Sequence, residues 1–480
     1  MKKRSMSRVF RRVKIAATLG PVTSSKAMIE RLARAGMDVV RLNFSHGTHE
    51  SHARMIKAVR VVSKKIRRPM SVMADLQGPK IRTGRLAGGG PVSLEQGARF
   101  VLTTETLIGD GRRVSVGYRG FHKDVRKGQK ILIGDGNIEL QIAGVRGREV
   151  RCEVVYGGEL SELKGISVPG AELRVPLLDA KDRRDLSFAL AHGADYIAVS
   201  YVRSPRDVIA VRKLIKASRK KTLIIAKLEK AEALDRLQEI LEVSDGVIVA
   251  RGDLGVELPP EEVPTAQKKI IRCARELRIP VITATQMLGS MARSPRPTRA
   301  EASDVANAVF DGSSGLMLTD ETAVGRYPVQ SVEMMDRIIR EAESIPSETW
   351  QPIRRGNSVA ESIAEGVCKA ADSLPLKCIA AFTETGRTAR LIAHFRPRCP
   401  IIGFSPNQNT RRALALLWGV RPRKIGTVRD IDELARVAEW RLVEEGFARK
   451  GDVVGIVAGT PLSVAGTTNM LKLHVVGSAS

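Results

Sequence analysis

Short apolar runs rich in β-branched residues recur along this chain, separated by longer stretches whose apolar residues return every three to four positions. From Val13 the runs VKIAATL (13–19), DVVRLNFS (38–45) and MSVMADLQG (70–78) read as strands. Between them, TSSKAMIERLARAG and ESHARMIKAVRVVSKKI read as helices, the first opened by a Ser/Thr cap. Between Arg85 and Leu173 the texture changes to ARFVLTT, KILIGDG, NIELQIAGV and REVRCEVVYGG, split by Gly and charged turns. That stretch predicts an all-β insertion, whose Gly-rich borders suit a lid that moves. The alternation resumes with VPLLDAKDRRDLSFALAHG as a helix. DYIAVSYV, TLIIAKL, DGVIVARG, PVITATQML and GLMLTDE then follow as strands, and AEALDRLQEILEVS reads as one helix between the second and third of these. Three strands plus five make eight. Eight parallel strands with helical crossovers close a (β/α)8 TIM barrel, whose active site lies on the carboxyl rim.

A third region reads as helix AESIAEGVCKAADSL, strand LKCIAAF, a helix, strand PIIGF, two helices in succession (QNTRRALALLW and IDELARVAEWRLVEEG), strand DVVGIVAG and a last strand. This predicts a C-terminal α/β domain with a mostly parallel sheet. The expected organisation is a basic arm at 1–12, a barrel at 13–84 and 174–345, a β lid at 85–173 and the α/β domain at 346–480.

Composition changes this picture little. With 480 residues, 43% of them hydrophobic, the chain can bury several cores. The 79 Lys plus Arg against 52 Asp plus Glu give a net charge of +27, which favours anionic partners or serves solubility. Aromatic residues are only 4%, poor material for base-stacking platforms, so nucleic-acid binding is not expected. Cys152, Cys273, Cys368, Cys378 and Cys399 are scattered, odd in number and form no CxxC, as expected of reduced thiols in a cytoplasmic protein. No run of about 18 apolar residues occurs, and no membrane association is expected.

Charge at the strand ends does change the picture. Lys227 and Glu229 follow one strand, and Arg251 and Asp253 the next. A right-handed crossover brings both ends to the same rim. Two carboxylates there suit a hard cation such as Mg2+, and the ammonium suits developing negative charge. Strand ends are equally where solvated charges ordinarily sit. Asn43, Asp75, Ser200, Thr285 and Glu321 fall at other strand ends. In the C-terminal domain, the Ser/Thr/Gly loops Thr383 to Thr388 and Gly459 to Asn469 can hold a phosphate on backbone N–H groups or serve as ordinary turns. These features leave open whether the rim handles a phosphate or an enolate.

The blocks VKIAATLGP, GMDVVRLNFSHGTHE, ADLQGPKIRTG, IIAKLEK, DGVIVARGDLGVELP, VITATQMLGSM and SPRPTRAEASDVANAVFDGSSGLMLTDETAVGRYP, in this order, resemble the signature stretches of pyruvate kinases. The resemblance implies phosphoryl transfer from phosphoenolpyruvate to ADP, giving pyruvate and ATP, in a cytoplasmic and allosteric homotetramer. It also assigns residues. Glu229 and Asp253 would hold Mg2+, or Mn2+ in its stead, with the backbone near Gly252 seating substrate. Lys227 would meet the moving phosphoryl group, Arg41 the substrate phosphate, and Thr285 would help deliver a proton to the enol carbon. Asn43, His46, Arg82 and Lys164 would contact the nucleotide. In the C-terminal domain, Thr383, Thr385, Gly386, Arg387 and Thr388 would form an effector loop.

Three departures from the family pattern carry expectations of their own. The monovalent-cation site matched by Asn43, Ser45 and Asp75 has Leu76 where a Thr is usual, followed by Gln77, and Lys80 where a Glu is usual; Lys80 would supply the charge, so K+ is not required. Asp320 and Val324 replace a Gly and a Lys, and Asp320 is expected to tolerate a left-handed backbone with Arg326 offsetting its charge. Glu384 stands where a sugar-bisphosphate-binding member carries Lys, which favours a sugar monophosphate such as ribose 5-phosphate, AMP, or no effector. The rival readings are a Mg2+-dependent aldolase or lyase acting on pyruvate, and a degenerate scaffold that binds nucleic acid.

Overall fold

The computed structural model describes residues 10–345, 358–426, 428–461 and 467–478. Most of the basic arm, the 346–357 connection and the middle of the Gly459–Asn469 loop lie outside the described residues.

The apolar runs form β1 (Lys14–Thr18), β2 (Val39–Asn43), β3 (Ser71–Asp75), β4 (Tyr196–Val199), β5 (Leu223–Leu228), β6 (Gly246–Ala250), β7 (Val281–Ala284) and β8 (Gly315–Leu318). All eight pair in parallel in the order β1-β8-β7-β6-β5-β4-β3-β2, and β2 returns to β1 to close the barrel. Alternate side chains face opposite ways along each strand. Ala16, Val39, Met73, Ala198, Ile225, Ile248, Ile282 and Met317 fill the interior, while their neighbours pack outward under the helices. Caps set the helix starts where the sequence offers them: the side chains of Ser25, Thr48, Asp179 and Thr298 each accept a backbone N–H from the first turn. The expected single helix over 231–244 is two, Glu232–Asp235 and Leu237–Glu242, broken at Arg236.

The insertion after β3 is all β apart from a 3-10 turn at Ala87–Gly89 and one turn of α-helix at Phe121–Asp124, and has a separate core that includes Phe100, Phe121, Ile131 and Leu140. Its pairing begins before Arg85: Ile166 donates its N–H to Ile81, and Arg82 bridges Gly165. At its exit Arg203 donates to the carbonyls of Leu173 and Val175.

The C-terminal sheet runs β11 (Val420–Lys424), β10 (Ile401–Ser405), β9 (Ile379–Phe382), β12 (Val453–Ala458), β13 (Met470–Val475), parallel except for β13. β11 corrects the expected succession of two helices, for it lies between them. This domain closes the amino-terminal end of the barrel: Tyr196 donates to the Ala413 carbonyl, Lys14 to Val420, and Leu416 joins the barrel's inner core. The opposite rim stays open to the lid.

Candidate active site

Asp75, at the end of β3, is 1% exposed in its side chain, and a carboxylate so placed needs cations. It has two. Arg41 Nε donates to Asp75 Oδ2 at 2.6 Å, and Lys227 Nζ lies 3.2 Å from Asp75 Oδ1. Lys227 reaches back to Glu229 Oε1 at 2.9 Å and donates to Ser200 Oγ at 2.7 Å. Ser200 in turn donates to the Leu76 carbonyl at 2.8 Å, which aims its lone pairs at the ammonium. The parallel register builds this cluster, since Asn43 is level with Asp75, and Asp75 with Ala198.

Burial raises an acid and depresses a base unless an opposite charge intervenes. For Lys227, burial is the largest influence, yet Asp75 and Glu229 together outweigh it and hold the ammonium above its ordinary range. Burial pulls Asp75 upward, but Lys227 and Arg41 win and hold it below the usual carboxylate value. Glu229 shares the same Lys227 yet goes the other way: burial, assisted by the charges of Asp253 and Asp75, exceeds the one ammonium beside it and raises it. A carboxylate in that condition is completed by an added cation.

Asp253 lies in the first turn of the helix Arg251–Glu257 that starts straight after β6. Its Oδ1 accepts from the Tyr201 hydroxyl at 3.1 Å and from Lys80 Nζ at 3.2 Å, while Oδ2 has no protein partner among the described residues. No cluster of three or more His, Cys, Asp or Glu suited to a metal occurs among the described residues. Two carboxylates with one free oxygen suit Mg2+, which keeps several waters and takes substrate phosphates rather than an all-protein cage.

Thr285 follows β7 with φ 76°, and Gln286 with φ 54°, left-handed conformations uncommon outside glycine. Its side chain lies across from Gly252, where an added Cβ would come 2.7 Å from Thr285 Cγ2, so that approach requires glycine. Asn43 Oδ1 accepts from Ser45 N–H, and the exposed imidazole of His46 has no hydrogen-bonding partner among the described residues. Arg82 donates to the Leu163 carbonyl, and the exposed Lys164 is held by its backbone N–H on Thr83 Oγ1 at 2.9 Å.

Several expected members sit elsewhere. Arg251 forms a two-toothed pair with Asp304, at 2.6 and 2.7 Å, and donates to the Thr285 carbonyl, so it braces the loop after β7 rather than Glu229 or Asp253. Lys80 pairs with Asp253 and, at 3.8 Å, with Asp135 of the lid; it makes no ion pair with Asp75 among the described residues. Glu321 is spent on the N–H groups of Leu288 and Thr319. Asp320 is not left-handed: it begins a helical turn, Asp320–Ala323, exposed and without an ion pair to Arg326 among the described residues. In the C-terminal loop Gly386 has φ 92°, its N–H meets Thr383 Oγ1 at 2.8 Å, and Thr388 Oγ1 meets Thr468 Oγ1 at 2.9 Å. Tyr201, which the sequence offers only as the apolar end of a strand, touches both Glu229 and Asp253.

Residues 10–332 match the family model "Pyruvate kinase, barrel domain" and residues 361–474 match "Pyruvate kinase, alpha/beta domain". The chain is 45% identical to a Corynebacterium glutamicum pyruvate kinase, over 97% of this chain and 98% of that one. It is 43% identical to a Staphylococcus saprophyticus pyruvate kinase, over 98% and 81%. A solved pyruvate kinase of Cryptosporidium parvum superposes with a TM-score of 0.91 at 34% identity, covering 97% of this chain and 96% of that one. The chain belongs to the pyruvate kinase family, phosphotransferases that form ATP and pyruvate from ADP and phosphoenolpyruvate.

Proposed function

We propose that the open rim carries this transfer with Lys227 at its centre, and that Glu229 and Asp253 hold the divalent ion, Mg2+ or Mn2+. When bound, that ion supplies charge to seat and polarise phosphate and carboxylate oxygens. The observation that carries the reading is the buried ammonium of Lys227, fixed by Asp75, Glu229 and Ser200 at the mouth of the barrel. A cation held in place before reaction needs no reorganisation as charge moves onto the transferring group and the enolate. Arg41, anchored through Nε on Asp75 and Nη1 on Thr18, keeps its Nη2 N–H groups for the substrate phosphate. Thr285 relays a proton to the enol carbon through water, its own hydroxyl being too weak an acid. Asn43, His46, Arg82 and Lys164 contact the nucleotide, the last two from paired segments at the root of the lid.

Proton exchange separates these roles. Pyruvate in D2O with divalent ion and phosphate should exchange its methyl protons, seen by NMR. Arg82→Ala should keep that exchange and lose ATP formation, and Lys227→Met should lose both. Loss of exchange in Arg82→Ala would overturn the nucleotide assignment. Turnover of pyruvate into an aldol product without ADP would favour the lyase reading.

The Leu76 side chain, 1% exposed, offers no oxygen to a monovalent ion, and Lys80 brings a fixed charge to the rim, which supports turnover without K+. A homotetramer is supported by apolar residues left exposed on one domain, Trp440 and Val443 on a helix and Leu473 and Val475 on the edge strand β13. At the Thr383–Thr388 loop a monophosphate such as ribose 5-phosphate or AMP is the favoured effector, because Glu384 is exposed there. No helix is long and apolar enough to cross a membrane among the described residues, and the proposed place of action is the cytoplasm.

A further inference from the structure

The two carboxylates assigned to the divalent ion come from different elements, β5 and the helix after β6, and one residue of a third element touches both. Tyr201 follows β4. Its backbone N–H donates to Glu229 Oε2 at 2.7 Å, and its hydroxyl donates to Asp253 Oδ1 at 3.1 Å. Both ends of this connection are fixed. The backbone holds φ 55°, a conformation a bulky residue adopts only when its surroundings impose it, and this turns the N–H onto Glu229. The ring packs against Gly78, where an ideal Cβ would come 3.0 Å from Tyr201 Cδ2, so a larger residue there would collide with it. A rigid phenol ring therefore spans the gap between the two oxygens.

The consequence lies in which oxygens are left over. Glu229 Oε1 is taken by Lys227 and Oε2 by Tyr201, while Asp253 Oδ1 is taken by Tyr201 and Lys80. Asp253 Oδ2 alone has no protein partner among the described residues. A phenylalanine would fill the same space and keep the backbone N–H, but would let the Asp253 carboxylate rotate.

We infer that Tyr201 is a positioning residue for the divalent ion: its hydroxyl fixes the Asp253 carboxylate relative to Glu229 and turns Oδ2 toward the metal. This rests on the assignment of Glu229 and Asp253 as metal ligands. Outer groups that orient a metal ligand typically change affinity about 10-fold or more when removed. Mg2+ demands near-ideal octahedral geometry, Mn2+ takes the same octahedral oxygen sites, and the larger Ca2+ tolerates irregular ones. A lost spacer should therefore weaken binding of the small ions more than of Ca2+. Lys80 shares Asp253 Oδ1 but acts as a charge. Its removal lifts repulsion of an incoming cation and should tighten binding, the opposite direction.

The test is Mn2+ binding to the full-length protein without nucleotide, followed by electron paramagnetic resonance, with Ca2+ affinity measured by competition. Tyr201→Phe is expected to bind Mn2+ about tenfold more weakly and to lose much less affinity for Ca2+, with kcat at saturating Mn2+ nearly retained and the apparent KM for metal raised. Lys80→Met is expected to bind Mn2+ more tightly than wild type. Unchanged Mn2+ affinity in Tyr201→Phe, or equal losses for Mn2+ and Ca2+, overturns the positioning role. If Tyr201→Phe does not fold, weaker Mn2+ binding by Lys80→Met overturns the inference instead. The underlying assignment fails separately: unaltered Mn2+ binding in both Glu229→Gln and Asp253→Asn would show that the ion is held elsewhere.

Discussion

Arg41 Nε, from the middle of β2, and Asp75 Oδ2, at the end of the neighbouring β3, stand 2.6 Å apart, the Asp75 side chain 1% exposed. Asp75 also neutralises Lys227, so one carboxylate holds two cations of the site. Removing one partner of a buried pair strands the other, at a cost of about 3 kcal/mol or more. Asp75→Asn is therefore expected to lower the denaturant midpoint and to lose activity together. The depressed carboxyl contributes stability above its unfolded value near pH 4, and that contribution is lost as pH falls through its lower folded value. The acid limb of the stability profile should flatten in the variant, and an unchanged limb would contradict the arrangement.

Lys14 offers a second reading of pH. It lines a cavity of about 310 Å3 between the barrel's amino-terminal end and the C-terminal domain, together with Arg11, Arg68, Arg421 and Asp38. Burial pushes its ammonium down to about 8, with Asp38 opposing and the arginines assisting. The unfolded chain then binds more protons than the folded one between pH 8 and about 10.4, so this residue makes stability rise with pH across that window. Lys14→Met is expected to remove that rise, read from urea midpoints at pH 7.5 and 9.5. Parallel wild-type and variant profiles would contradict the burial argument.

Turnover is expected to persist when tetramethylammonium replaces K+, because the Leu76 side chain supplies no hydroxyl oxygen and Lys80 already stands beside Asp253. Activation from a near-zero baseline by K+ would sink this. In Lys80→Met, activity is expected to fall, and added K+ should not restore it.

Much of the architecture was legible because barrel strands, buried on both sides, are continuous apolar runs, and their helices are capped and amphipathic. Two local features were not. β11, VRPRK, hides behind Pro422 and three basic residues; as an edge strand it tolerates a proline, with Val420 and Pro422 buried and Lys424 exposed. The break at Arg236 follows from a local backbone departure, φ −109° and ψ 23°, inside an unbroken apolar periodicity. At the site, the residue types at strand ends announced Lys227, Glu229 and Asp253, while their partners depended on contacts between distant segments. Lys80 could be read as a charge, yet its choice of Asp253 over Asp75 could not. Tyr201 resembled any apolar strand end, and its importance lies in a positive φ and two non-local hydrogen bonds.

The measurement closest to the central claim is initial-rate ATP formation from ADP and phosphoenolpyruvate by wild type and Lys227→Met, with Mn2+ binding measured on the same samples. The variant should still bind Mn2+ and lose kcat by about 10²–10³-fold or more, as expected when a fixed group that stabilises developing charge is removed. Equal rates for the two proteins would contradict the account.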